Sequence, residues 1–156
     1  MKTSLSKRMS VVTGFVIFFG VLNMLLLLAK AETAIGIWSN PSGKWDEEWY
    51  AWKVLILIGY VVFGLIGNIL TITMMVNSIR LIKYGEFFSK CNANIIWWSV
   101  PICFLSGLCA DNFPIIYGFP RFMIYPNTFF TPLLLIGIAI IYSAGVRLSE
   151  ENRLTV

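Results

Sequence analysis

A long uncharged run near the middle of the chain constrains the fold more than any other feature of the sequence. The run extends from Val54 to Ile79, between Lys53 and Arg80. As a helix with a rise of about 1.5 Å per residue it would be about 39 Å long, which exceeds the bilayer's hydrocarbon core of about 30 Å. The run therefore predicts a membrane-spanning helix that is tilted or ends among the lipid headgroups.

Small and polar residues recur along one face of this predicted helix. Steps of four and three residues connect Gly64, Asn68, Thr71, Met75 and Ser78. Helices in lipid associate through close packing at small residues and through interhelical hydrogen bonds, because lipid removes the hydrophobic force between them. We therefore expect this face to contact other helices.

Composition extends this argument to the whole chain, which has 156 residues, 58% of them hydrophobic and 13% charged, and a mean hydropathy of +0.77. Such values predict an all-α integral membrane protein, one domain with a four transmembrane helix bundle. The predicted spans are residues 9–29, 54–79, 94–110 and 128–146. The remaining segments are two outer segments, 30–53 and 111–127, a connector, 80–93, and a tail, 147–156.

The first span has an alternative interpretation as a signal peptide. Ala29-Lys30-Ala31 has the small-x-small form of a cleavage site. However, the apolar segment 9–29 is longer than the core of a signal peptide, which has about 7 to 15 residues. We therefore favour a retained helix.

A candidate interhelical polar seam combines residues from three of the spans. Its members are Asn23, Gly64, Asn68, Thr71 and Ser106. Measured from the middle of each predicted span, Asn23 lies about 6 Å toward the outside and Asn68 about 2 Å toward the inside, so the two are expected to miss each other unless the helices shift. Packing between helices is the favoured role of the seam, and a permeation or ligand site is the alternative.

The distribution of basic residues predicts the orientation. Eight of the 12 Lys and Arg residues lie at the start of the chain, in the connector or in the tail. By the positive-inside rule both termini are predicted to be cytoplasmic. The segment 111–127, rich in Pro and aromatic residues, is expected to lie against the outer membrane interface, where Asp111 could pair with Arg121. Asn127 or Thr131 is predicted to cap the last helix.

The residue inventory disfavours several functions. The chain has no histidine, and its three cysteines, Cys91, Cys103 and Cys109, form no C-x-x-C pair. No nucleophile elbow, phosphate loop or metal motif is present, so we predict that the protein is not an enzyme and uses no cofactor or metal. The net charge is +4, but the basic residues are scattered at the ends of apolar runs and form no basic stretch, which argues against direct nucleic-acid binding.

Two short motifs carry a family resemblance. The connector contains Gly85-Glu86-Phe87-Phe88-Ser89 with Asn92 three residues further on, and the chain ends Gly145-x-x-Leu148-x-x-Glu151-x-x-Leu154-Thr155-Val156. With the four-span layout, these residues resemble the bacterial membrane proteins grouped as domain-of-unknown-function family 2975. Phe87 departs from that pattern, in which proline is expected.

The resemblance implies a multi-pass protein of the bacterial cytoplasmic membrane and a cytoplasmic partner. Members of that family are often encoded beside a small helix-turn-helix regulator, so the leading hypothesis is a membrane partner or tether of such a regulator. The candidate cytoplasmic partner surface consists of Gly85, Phe87, Phe88, Ser89, Asn92, Glu151 and Leu154. The alternatives are a small transporter or channel, or a membrane protein that binds a lipid or small molecule. Small-residue faces would also suit a homo-oligomer.

Overall fold

Four long helices account for most of the protein, of which the computed structural model describes residues 2–38, 49–84, 88–119 and 121–154. The elements are α1 (Lys2–Trp38), α2 (Tyr50–Lys83), α3 (Lys90–Asp111), a 3₁₀ helix (Phe113–Tyr117) and α4 (Pro126–Leu154). No strand occurs among the described residues. All four α-helices are long and apolar enough to cross a bilayer, which confirms the all-α prediction and the number of candidate spans.

Helix α1 continues well beyond the predicted span, through Ala29-Lys30-Ala31 to Trp38. Its extension is stabilised by packing, because Ala31 and Ala34 are buried. The Thr33 hydroxyl donates a hydrogen bond to the carbonyl of Ala29 over 2.9 Å. The turn predicted at Asn40-Pro41-Ser42-Gly43 lies outside the described residues.

The helices pack in chain order, α1 against α2, α2 against α3, and α3 against α4. Among the described residues, α1 and α4 do not pack against each other. The four helices thus form an open arc, and the predicted bundle is open between its first and last members.

At one end of the arc, here called the connector end, Phe88 and Ser89, which precede α3, meet the C-terminal part of α4. Ser89 is the N-cap of α3, since its hydroxyl accepts a hydrogen bond from the backbone N–H of Asn92 over 3.2 Å. The ring of Phe88 packs edge-to-face on Tyr142, with ring centroids 5.2 Å apart. A Cβ at Gly145 would lie only 2.6 Å from that ring, so glycine permits this contact.

At the other end, here called the 3₁₀ end, the 3₁₀ helix plugs the space between the helices. Ile115 and Ile116 are 2% and 0% exposed. They join a core cluster with residues of α1 and α2, namely Ala31, Ala34, Ile56, Leu57 and Phe113. The 3₁₀ helix of segment 111–127 therefore packs inside the protein, because burial of its apolar side chains is favourable. The location of this segment at the membrane interface stays a prediction.

The expected pairing of Asp111 with Arg121 is replaced by a contact between Asp111 and the start of α4. The Asp111 carboxylate accepts hydrogen bonds from the backbone N–H of Tyr125, over 3.0 Å, and from the Thr128 hydroxyl. A carboxylate is favourable there because the N-terminus of a helix carries partial positive charge. Helix α4 begins at Pro126, so the predicted caps Asn127 and Thr131 are wrong. Proline suits a first helical position.

Asn112 fastens the returning chain to the end of α3, and its replacement tests this clamp. Its amide nitrogen donates to the carbonyls of Leu108 and Met123 over 2.8 and 2.9 Å, and its oxygen accepts from the Met123 N–H over 2.8 Å. We expect Asn112→Ala to lower the free energy of unfolding in mixed detergent micelles by about 1–3 kcal/mol, because the Met123 groups lose their partners. The exposed Asn127→Ala is the control, and equal losses for both would contradict the clamp.

Candidate functional site

Asn23 of α1 and Asn68 of α2 form a hydrogen bond near the middle of both helices. The Asn23 amide nitrogen donates to the Asn68 side-chain oxygen over 3.3 Å. The expectation that these residues miss each other is therefore wrong. The expectation fails because α1 is longer than predicted. The middle of its apolar stretch Ser10–Ile37 falls beside Asn23, and the middle of α2 falls close to Asn68, so the two side chains lie at the same depth.

Small residues allow α1 and α2 to approach closely enough for this bond. A Cβ at Gly64 would collide with a methyl group of Leu27, and one at Gly20 would lie 3.2 Å from Ile72. The Asn68 amide nitrogen in turn donates to the carbonyl of Gly64 over 2.8 Å. The Asn68 side chain is thus held by its own helix while it receives the bond from Asn23.

The asparagine pair lies on the wall of a cavity of about 630 Å³ between the helices. The cavity falls within the usual range for small-molecule sites, about 300–1,000 Å³. The structure brings all five members of the predicted polar seam to its wall, namely Asn23, Gly64, Asn68, Thr71 and Ser106. Ser99 and Cys103 of α3 also line it.

The helix arrangement determines how the cavity is reached. Most of the wall belongs to α2 and α3, while α1 contributes Asn23 and Leu27, and α4 contributes Leu135 and Ile138. Because α1 and α4 do not pack against each other, the cavity opens sideways between them. The buried 3₁₀ helix lies beyond one end of the cavity. The connector end lies beyond the other.

The wall is mostly apolar, with several uncharged polar side chains, and it carries no Asp, Glu, Lys or Arg. The hydroxyls of Thr71 and Ser99 donate to carbonyls of their own helices, Gly67 over 2.9 Å and Ile95 over 2.8 Å. Their oxygens keep capacity to accept further hydrogen bonds. Among the described residues, no group of three or more acidic or cysteine side chains could hold a metal ion. The chemistry of the wall suits an uncharged molecule that forms hydrogen bonds.

The members of the candidate cytoplasmic partner surface differ in burial, and some of them lie outside the described residues. Gly85 and Phe87 lie outside the described residues, as does the side chain of Leu154. Ser89 caps α3, and Asn92 is 0% exposed, with its amide nitrogen donating to the Ser78 hydroxyl over 3.1 Å. Phe88 and Glu151 are exposed at the connector end.

Sequence reasoning did not find an apolar groove of about 930 Å³ between α2 and α3, nearer the 3₁₀ end. Trp52, Phe63, Cys109 and Phe122 are among its lining residues. A Cβ at Gly59 would lie 2.6 Å from the Cys109 sulfur, so glycine again permits the close approach of two helices. Gly59 was the residue in the sequence that could have indicated this close approach of α2 and α3. The lining of the groove is almost wholly apolar, as expected of a surface covered by lipid chains.

Comparison of the chain with protein-family models, with curated proteins and with solved structures finds no match.

Sideways access can be tested with a spin label at Ile138→Cys, after replacement of the native cysteines by alanine. Ile138 lines the cavity on α4 and is 51% exposed. We expect molecular oxygen, which dissolves in lipid, to relax the label strongly, and a water-soluble nickel chelate to relax it weakly. A label at Tyr84→Cys, where the side chain is 85% exposed at the connector end, is the control for water access. Equal nickel relaxation at both sites would contradict sideways access.

Proposed function

We propose that this chain is a non-enzymatic multi-pass protein of the bacterial cytoplasmic membrane that binds an uncharged, lipid-soluble molecule in the cavity beside Asn23 and Asn68. The observation that carries the proposal is the shape of the cavity, which is open toward lipid and has buried side chains beyond both ends. A molecule that dissolves in the membrane reaches such a site without crossing water.

The proposed orientation places both termini and the connector end in the cytoplasm. The positive-inside rule supports this orientation, because Lys83, Lys90 and Arg147 all lie close to the connector end. The ion pair between Lys90 and Glu150, at 2.9 Å, joins the start of α3 to the last turns of α4 at that end. Both side chains are substantially exposed, so the pair contributes little to stability.

Binding is favoured over ion conduction by the chemistry of the wall. Charged residues inside a membrane commonly mark ion and proton paths, and none lines this cavity. A path across the membrane would also have to pass the buried Ile115 and Ile116. The transporter or channel alternative therefore has less support than a binding site.

A second candidate function is the membrane partner or tether of a small helix-turn-helix regulator. Its support is the family resemblance together with the exposure of Phe88 and Glu151 at the same end of the protein. Glu32 of α1 lies toward the 3₁₀ end and is also exposed, so it provides a matched control for Glu151.

The partner hypothesis predicts that a regulator of this type co-purifies from native membranes with the wild-type chain. We expect Glu151→Arg to reduce its recovery severalfold, because reversing a charge at a contact introduces repulsion, and Glu32→Arg to leave it unchanged. Mass spectrometry of the purified material measures the recovery. Purification of the chain without any regulator would contradict the hypothesis.

The binding proposal predicts that filling the cavity removes a lipid-soluble ligand. The protein is extracted with its surrounding lipid, and the small molecules it retains are measured by mass spectrometry. We expect Ser106→Phe to deplete one class of molecule severalfold, because the ring occupies the cavity. Gly137→Phe is the control, since a Cβ there meets no atom within 4 Å. Identical profiles for the wild type and both variants, each with an unchanged Tm, would contradict the proposal.

A further inference from the structure

The hydrogen bonding of Asn23 specifies the kind of molecule that fits the cavity. One N–H of its amide donates to Asn68, yet no described residue donates to its carbonyl oxygen. The side chain is exposed and faces the cavity. This oxygen lies at mid-depth in the helices, where a bilayer offers no water to hydrate it, so leaving it without a donor costs free energy.

Neighbouring side chains do not supply the missing donor. The α4 residues across the opening, Leu135 and Ile138, are aliphatic. The hydroxyl protons of Thr71 and Ser99 are already directed to carbonyls of their own helices. The hydroxyls of Tyr60 and Ser106 also line the cavity, but neither donates a hydrogen bond to Asn23. A molecule bound in the cavity can supply the missing donor.

The same surroundings exclude a charged headgroup. No lysine or arginine lines the cavity to balance a phosphate or a carboxylate, and no acidic residue lines it to balance an amine. Burying an unpaired charge at this depth carries a far larger penalty than burying a hydroxyl group. An uncharged lipid can thus place its head beside Asn23 when a phospholipid cannot.

The sideways opening accommodates the rest of such a lipid. The flanks of the opening are apolar, formed by Leu27 of α1 and by Leu135 and Ile138 of α4. Acyl chains can pass between these helices and remain in the surrounding bilayer while only the head occupies the cavity.

We propose that the ligand is an uncharged, hydroxyl-bearing lipid of the diacylglycerol or long-chain alcohol type, an inference that rests on the proposed binding function. Its hydroxyl donates a hydrogen bond to the side-chain oxygen of Asn23, and its oxygen can accept from the Ser106 hydroxyl. No covalent step is involved.

The test uses the full chain in phosphatidylcholine nanodiscs with a photoactivatable diacylglycerol that carries a diazirine on an acyl chain. Unlabelled dioleoylglycerol is compared as a competitor with its acetylated form, which lacks the donor, and with dioleoyl phosphatidic acid, which is charged. We expect dioleoylglycerol to compete about tenfold better than the acetylated lipid, the ratio expected for the loss of one hydrogen bond in a dry site. We expect phosphatidic acid to compete no better than phosphatidylcholine.

A variant supports the assignment to Asn23. Asn23→Leu should abolish the tenfold preference for the free hydroxyl, whereas Asn77→Leu, which replaces an asparagine outside the cavity wall, should preserve it. The comparison of the three competitors on the wild-type chain requires no variant, so it remains decisive if Asn23→Leu fails to fold.

The outcomes separate this inference from the proposed function. Equal competition by dioleoylglycerol and its acetylated form, with cross-linking blocked by Ser106→Phe, would overturn the hydroxyl requirement and leave the binding function standing. Stronger competition by phosphatidic acid would overturn the requirement for an uncharged ligand. Cross-linking that no lipid competes for and that Ser106→Phe leaves unchanged would overturn both proposals.

Discussion

The hydrogen bond between Asn23 and Asn68 is the interaction on which the arrangement of α1 depends. Helix α1 contacts α2 and the 3₁₀ helix, and its outward face is almost wholly apolar, so the direction in which it packs is set by its few small and polar residues. Gly20 and Gly64 permit the approach, and the asparagines select the register along the axis. Because both side chains lie at mid-depth, neither can reach water, and their pairing is the local alternative to an unsatisfied amide.

The two ends of the protein are closed by different means. At the 3₁₀ end, a short apolar helix is inserted between α1 and α2, and Asp111 and Asn112 tie the chain that follows it to α3 and to the start of α4. At the connector end, the described contacts are those of the Phe88 ring with Gly145 and Tyr142, the hydrogen bond from Asn92 to Ser78 and the ion pair between Lys90 and Glu150. The middle remains open on the side between α1 and α4, and this combination creates a cavity with lateral access.

Much of this structure could be predicted from the sequence. The uncharged runs gave the helices, and spacing placed the five seam residues on faces that now line one cavity. What could not be predicted depended on contacts distant in sequence. The extension of α1 through Lys30 required the partners of Ala31 and Ala34, and it moved Asn23 into line with Asn68. The burial of Ile116, the role of Asp111 and the open side of the arc likewise follow from tertiary packing that no local pattern encodes.

The most direct measurement is a solid-state NMR correlation in lipid bilayers between the side-chain nitrogen of Asn23 and the side-chain carbonyl carbon of Asn68. The hydrogen bond, with 3.3 Å between the Asn23 nitrogen and the Asn68 oxygen, predicts a weak long-range cross-peak between the Asn23 nitrogen and the Asn68 carbonyl carbon. Absence of that cross-peak, while the Asn68 side chain still correlates with the Gly64 carbonyl, would show that α1 packs in another register. The cavity beside the pair, and the binding function proposed for it, would then be wrong.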